Sequence, residues 1–253
     1  MSTNEPKAFL LSIIIPAYNE ERTVQGVIEE ILSLDIHGGL DLIVVNDGSS
    51  DGTESILKGF EGRAGVRIIN HGVNKGKGQA VRSGIAAATG SHALVFDADS
   101  EYDPKDIKDL IPPLLTRRAD VVYGVRLRGQ RTILPTFVHA FGNQAMTGAL
   151  NVLYGTAISD LHTCLKLLPL PLLRSMTLRE LGFGLDTEIT CEMLRHGFRP
   201  YEIPVSYVGR SREEGKKIKL SDAVECILVL MKVRLRPMTR PGLRNRSLAP
   251  QVR

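Results

Sequence analysis

Within the first hundred residues, four short apolar runs alternate with stretches of helical spacing, and this alternation narrows the choice of fold more than any other feature of the chain. LLSIIIP (10–16), LDLIVVN (40–46), VRIIN (66–70) and HALVF (92–96) are almost continuously apolar, as strands buried on both faces are. Between them, Glu21 to Leu34 sets Val24, Val27, Ile28, Ile31 and Leu32 on one helical face, and Thr53 to Phe60 and Gly78 to Ala88 read as two further helices. The expected class is α/β, with a mainly parallel central sheet flanked by helices. Farther along, Pro104 to Leu115 reads as a helix with proline in its first turn, and DVVYGVR (120–126) as a fifth strand. A long helical region follows from about 132 to 154, and a last apolar helix from Ala223 to Val233.

In a sheet of this kind ligands bind beyond the carboxyl ends of the strands. Four polar segments fall there: PAYNE (16–20), NDGSSDGT (46–53), NKGKG (74–78) and DADSE (97–101). Asp97 and Asp99, one residue apart at a strand end, make a hard oxygen site for Mg²⁺ or Mn²⁺ that leaves positions open for phosphate oxygens. Pro16 ends the first strand's ladder, Tyr18 offers a flat face to a base, and Glu20 can accept hydrogen bonds from a base edge or ribose. Asp47 can accept the N–H of uracil or guanine. Lys75 and Lys77 suit phosphate or sugar, although their loop lacks the spacing of a Walker loop or a dinucleotide fingerprint. Each segment alone also reads as a turn or a helix cap. Their convergence on one sheet edge is what points to a ligand.

Composition sets the remaining bounds. The 253 residues, 43% hydrophobic and 24% charged, suit one large globular domain or two small ones. No apolar run reaches the roughly 18 residues of a membrane-spanning helix, and the N-terminus has no basic leader. Three cysteines without CxxC spacing, Cys164, Cys191 and Cys226, argue for reduced thiols in a cytoplasmic protein and against a disulfide scaffold or zinc site. From Lys232 to Arg253 there are seven basic residues and no acidic one. Such an end suits an anionic lipid surface, or is simply a solvated tail.

In order and spacing, PAYNE, VVNDGSSDGT, NKGKGQAVRSG and FDADSEYDP resemble the inverting GT-A glycosyltransferases of family 2, and within them the dolichyl- or polyprenyl-phosphate mannosyl- and glucosyltransferases. The resemblance spans roughly residues 10 to 220 and implies a GT-A catalytic domain there. A tail (1–9) would precede it, and an amphipathic helix (221–236) and a basic disordered tail (237–253) would follow. It implies that Pro16, Tyr18, Glu20, Val45 and Asp47 hold the nucleoside of a nucleotide-diphosphate sugar, GDP-mannose or UDP-glucose in type. Asp97 and Ala98 would line the nucleotide site, and Lys77 would also contact the donor. Asp99 is the implied principal metal ligand, with Glu101 beside it. Arg126 would contact phosphate, and Asp160 of ISDLHT matches an aspartate of the group. The group's basic loop is approximated by Arg212 to Lys219, so that Arg212 and Lys217 would neutralise the leaving diphosphate. Cys164-Leu165 replaces the group's Gly-Phe.

The acceptor implied is a polyprenyl phosphate, already ionised at neutral pH; a soluble hydroxyl acceptor is the alternative and would need a general base such as Asp160, Asp186 or Glu188. A non-catalytic nucleotide-sugar binder or a nucleotidyltransferase is a more distant alternative. The region 132–158 and the last helix read either as a face resting on an anionic membrane or as core and homo-oligomer contacts. No nucleic-acid partner is expected.

Overall fold

The computed structural model describes residues 9–126, 132–133, 137–182, 184–209 and 220–237, with the backbone alone for 137–140 and 220–224. Nine strands occur among them: β1 (Leu11–Ala17), β2 (Leu40–Asn46), β3 (Val66–Asn70), β4 (His92–Val95), β5 (Val122–Val125), β6 (Thr132–Ile133), β7 (Lys166–Pro169), β8 (Tyr201–Pro204) and β9 (Tyr207–Val208). The helices are α1 (Val24–Ser33), α2 (Thr53–Lys58), α3 (Lys77–Ala87), α4 (Ile107–Leu110), α5 (Pro112–Leu115), α6 (Phe137–Tyr154), α7 (Leu170–Ser175), α8 (Gly184–Arg195) and α9 (Leu220–Leu235).

Seven strands form one sheet in the order β3-β2-β1-β4-β7-β5-β8, and β6 and β9 pair separately. The pairings are parallel except on either side of β7, which runs against both β4 and β5. The apolar alternation within the strands explains why both faces are covered. Ile13, Ile15, Leu42, Val44, Leu94 and Phe96 pack with Val24, Val27, Ile28 and Ile31 of α1. Ile14, Ile43, Val45, Ala93 and Val95 join Ala80, Val81 and Ile85 of α3, and the inward sides of α6, α8 and α9 complete that core. Burying each such side chain stabilises by roughly 1.5–3 kcal/mol, and a slip of one residue would exchange the two faces.

Several expectations change. Pro16 does not end the β1 ladder, because β1 stays paired with β2 through Ala17 and Asn46. The Phe96 N–H bonds the Ile14 carbonyl. By alternation, Pro16 turns its missing donor to that same side, where β4 has already ended at Val95. The single helix expected over Pro104 to Leu115 is a 3₁₀ turn followed by α4 and α5, broken at Pro112-Pro113. The long helical region begins at Phe137, after the short strand β6. The sequence reading contained neither β7 nor α8. Among the described residues, no helix is long and apolar enough to cross a membrane.

Candidate functional site

The loops after β1, β2, β3 and β4 meet at one sheet edge and are laced together by their own polar side chains. Asn19, at a positive φ of 56°, accepts the Ser50 N–H at 2.8 Å, and Thr53 Oγ1 takes the Glu20 N–H at 2.9 Å. Glu21 takes the Gly52 N–H at 2.7 Å. Tyr18 is half exposed on this rim, while Val45 is buried in β2 and Pro16 is partly open. Gly48 has φ +70°, and a Cβ there would lie 2.4 Å from the Val73 carbonyl carbon, so the β2 and β3 loops touch only because this residue is glycine.

Asp47 is engaged by the protein itself. It is buried, and both of its oxygens face protein donors. Oδ1 accepts from His71 Nδ1 at 2.7 Å and the Lys75 N–H at 3.0 Å; Oδ2 accepts the Gly76 N–H at 2.8 Å. His71 Nε2 meets Ser83 Oγ at 2.9 Å. Asp47 thus shapes the loop that delivers Lys77 to the first turn of α3.

Lys77 Nζ lies 2.7 Å from Asp97 Oδ1 and 3.8 Å from Asp186 Oδ2. Burial opposes its charge, but the two carboxylates outweigh burial and raise its pKa above the ordinary lysine range. Lys166, almost fully buried in β7, donates to the Leu161 and Asp186 carbonyls at 3.0 and 2.9 Å and lies 3.4 Å from Asp186 Oδ1. Burial favours a neutral Asp186, yet Lys166 and then Lys77 pull its pKa down. The result is an alternating row, Asp97–Lys77–Asp186–Lys166, from the cleft into the core.

Asp99 and Glu101 lie on the same loop, both partly exposed, and Asp99 Oδ1 accepts the Glu101 N–H at 3.1 Å. Ala98 between the aspartates is buried. Tyr207 of β9 donates its O–H to Glu101 Oε2 at 2.6 Å, and the Arg126 guanidinium sits 5.0 Å from the Tyr207 ring centre. Arg126 closes a two-pronged pair with Asp160. Burial favours a protonated Asp160, but Arg126 and Asn143 outweigh it, and the carboxyl is pulled down to about 2. Asn143 also meets His162 Nδ1 at 2.9 Å, and His162 Nε2 lies 3.4 Å from Thr187 Oγ1. Burial and neighbouring Lys166 push His162 down to about 4, so it is neutral.

Lys77, Asp97, Asp99, Glu101, Arg126 and Asp160 therefore belong to one connected region. Arg212 and Lys217 lie outside the described residues. Glu188 stands apart: it is buried, takes the Arg179 and Glu180 N–H groups at 2.7 and 2.9 Å, and pairs with Arg236 at 3.2 Å. The sequence reading missed the roles of Tyr207, Asn143, His162 and Lys166. Lys166 had a signal, a lone charge within CLKLLPLPLL; Tyr207 had none. Among the described residues, no three His, Cys, Asp or Glu side chains cluster to hold a metal unaided. The carboxylates of Asp99 and Glu101 are hard oxygen donors at an open edge, which fits Mg²⁺ or Mn²⁺ completed by ligand phosphates.

The model of glycosyl transferase family 2 matches residues 12–168. The chain is similar to the glycosyltransferase AglJ of Haloferax volcanii, 28% identical over 81% of this chain and 65% of that one. It thus spans slightly less than two thirds of that relative. It is also similar to a dolichyl-phosphate beta-glucosyltransferase of Trichomonas vaginalis, 26% identical over 90% of this chain and 74% of that one. In fold it matches crystal structures of glucosyl-3-phosphoglycerate synthase from Mycobacterium tuberculosis. The complex with UDP gives a TM-score of 0.69 at 20% identity over 92% of this chain and 82% of that one. The complex with Mn²⁺, UDP and glucosyl-3-phosphoglycerate gives 0.68 at 22% identity, over 92% and 82%.

Proposed function

Because the chain belongs to glycosyl transferase family 2, we propose that it moves a hexose from a nucleotide-diphosphate sugar to a polyprenyl phosphate, with inversion at the anomeric carbon. One observation carries the choice of acceptor: the carboxylates that could act as general base are already committed. Asp160 is pulled down to about 2, Asp186 is lowered between two lysines, and Glu188 is buried among its own donors. A hydroxyl acceptor must give up a proton in the transition state; Asp160 and Asp186 are held too firmly in their charged form by cationic partners to take it well, and both Glu188 oxygens already face protein donors. A phosphate acceptor is ionised at neutral pH and attacks directly. The similarity to a dolichyl-phosphate beta-glucosyltransferase supports the same reading.

In this mechanism an acceptor phosphate oxygen attacks the anomeric carbon, and the bond from that carbon to the donor's β-phosphate oxygen breaks. Its electron pair leaves with the nucleoside diphosphate. Tyr18, Glu20 and Pro16 line the nucleoside side of the cleft over the buried Val45 and Ala98, and Asp47 serves it by holding the 75–76 loop. Asp99, with Glu101 beside it, would hold Mg²⁺ or Mn²⁺, which when bound neutralises the diphosphate. Lys77 keeps Asp97 from repelling that diphosphate. Arg126, whose Nε and Nη2 are fixed by Asp160, turns Nη1 to a phosphate oxygen. Arg212 and Lys217, in the basic loop, would neutralise the departing group.

The test is transfer from UDP- and GDP-linked hexoses to a polyprenyl phosphate with Mn²⁺ supplied. Product with inverted anomeric configuration, lost on adding EDTA, is expected. Turnover only with a soluble hydroxyl acceptor, or turnover indifferent to EDTA, overturns the proposal.

A further inference from the structure

Helix α9 is apolar on two opposite sides, and among the described residues the fold buries one of them. Cys226, Val229, Leu230 and Val233 are buried in the core shared with α6 and α8. On the other side Ile227, Leu228, Met231 and Leu235 are 47%, 50%, 41% and 75% exposed. Positions 227, 231 and 235 follow one another at four-residue steps, so these side chains form a continuous ridge over the last turns of the helix. A helix that faces only water carries charge there. Here the charges sit beside the ridge instead, as the exposed Lys232 and Arg234 at its end and the exposed Glu225 at its start. Neighbouring α6 exposes Ala145, Gly148 and Val152, and it has no Asp, Glu, Lys or Arg along its length.

We propose that this ridge is a docking surface for an anionic lipid bilayer. The apolar side chains enter the boundary between headgroups and acyl chains, while the exposed Lys232 and Arg234 meet lipid phosphates; Arg236 is turned inward onto Glu188 and Glu192. Charge selects this occupant. From Lys232 to Arg253 the chain has seven basic residues and no acidic one. The ridge's midpoint is Met231, so a two-fold pairing of two copies along it would crowd both sets of Lys232 and Arg234 around the axis. An anionic surface neutralises the same charges. The purpose of the surface rests on the lipid-acceptor reading above, because a polyprenyl phosphate must be met where it is dissolved. The exposed ridge itself does not depend on that reading.

The experiment is sedimentation of the full chain with vesicles of phosphatidylcholine alone, or with about one third phosphatidylglycerol. Two variants go beside it: Ile227→Ser, Leu228→Ser, Met231→Ser and Leu235→Ser combined, and Lys232→Glu with Arg234→Glu. Circular dichroism checks that each is folded. The wild type should sediment with the anionic vesicles and be released by salt, and each variant should bind at least about tenfold less. Equal binding to neutral and anionic vesicles, full binding by the folded serine variant, or a wild-type dimer in light scattering that the serine variant breaks would overturn the proposal. Vesicle binding without transfer to polyprenyl phosphate sinks the acceptor reading alone. Transfer to detergent-dispersed polyprenyl phosphate without vesicle binding sinks the docking surface alone.

Discussion

Arg126 and Asp160 meet edge to edge: Nε and Nη2 of the arginine each lie 2.8 Å from a different carboxylate oxygen, and the arginine's own N–H reaches Oδ2 at 3.2 Å. Asn143 Nδ2 adds a fourth contact at 2.9 Å. Asp160 is wholly buried, so its carboxylate is a template that sets the plane of the guanidinium above the Tyr207 ring. It positions Arg126.

Asp160→Asn should therefore harm both the fold and the reaction. Removing one partner of a buried pair costs about 3–5 kcal/mol. The misaligned guanidinium should lower kcat for transfer by about 100-fold, with a smaller change in donor KM. Urea denaturation and steady-state kinetics check these values. Unchanged kcat in a folded variant would remove Asp160 from the positioning role.

Stability should fall with acid in two windows. His162 and His92 are each pushed down to about 4 from an ordinary 6.5, mainly by burial. The unfolded chain then binds more protons between these values, and stability declines as pH falls from about 6.5 to 4. Asp160, depressed from 3.8 to about 2, contributes stability that is present above 3.8 and lost as pH falls through 2. Denaturation midpoints from about pH 8 down to about pH 2 check the sequence of losses. His92→Phe, which keeps a ring against Phe9, should flatten the first window.

Asp99→Ala should abolish transfer, by about 1,000-fold or more, and leave the melting temperature within a few degrees, because it removes a partly exposed ligand. The rise in melting temperature produced by UDP or GDP with Mn²⁺ should vanish too. A variant with wild-type kcat contradicts the metal assignment.

Tyr207→Phe removes one O–H from Glu101 Oε2 and keeps the ring beside Tyr102, whose centre is 5.0 Å away. Apparent Mn²⁺ affinity should drop about tenfold, read from the metal dependence of transfer, with the fold intact.

Gly78→Ala would place a Cβ 2.0 Å from the Glu180 carbonyl oxygen. The backbone must move, at a cost of about 1–3 kcal/mol, and it carries Lys77 with it. Reduced stability together with a raised donor KM is the expected pair of readouts.

The first half of the fold was legible because its information is local. Continuous apolar strands and the i, i+3, i+4 spacing of α1 need no knowledge of the rest of the chain. Each polar loop could be placed at the sheet edge by counting. β7 was not legible: its Lys166 interrupts the apolar pattern, and only the distant Asp186 and the carbonyl of Leu161 explain how the charge is satisfied. α8 escaped for a related reason. Leu185 to Leu194 are almost all buried, and Thr187, Glu188, Thr190 and Glu192 meet His162, the 179–180 backbone, Tyr123 and Arg236 of other segments. No amphipathic period survives there. At the site, residue types showed which side chains could bind a ligand. They could not show that Asp47 is consumed by His71, Lys75 and Gly76, because those partnerships exist only after β2 and β3 are side by side.

The reversed strand β7 also imposes an order of assembly. β1 to β4 are neighbours made in sequence, and that half of the sheet can close while synthesis continues. β5, made next, pairs among the described residues with β7 and β8, which leave the ribosome dozens of residues later. Until then the nascent Gly124-Val125-Arg126 has no neighbour on either flank. A chain cut short before residue 186 would keep the Asp160 that fixes Arg126 but lack the Asp186 beside Lys77 and the Tyr207 that holds Glu101. Completion of the reactive centre thus waits for the last third of the chain to be synthesised.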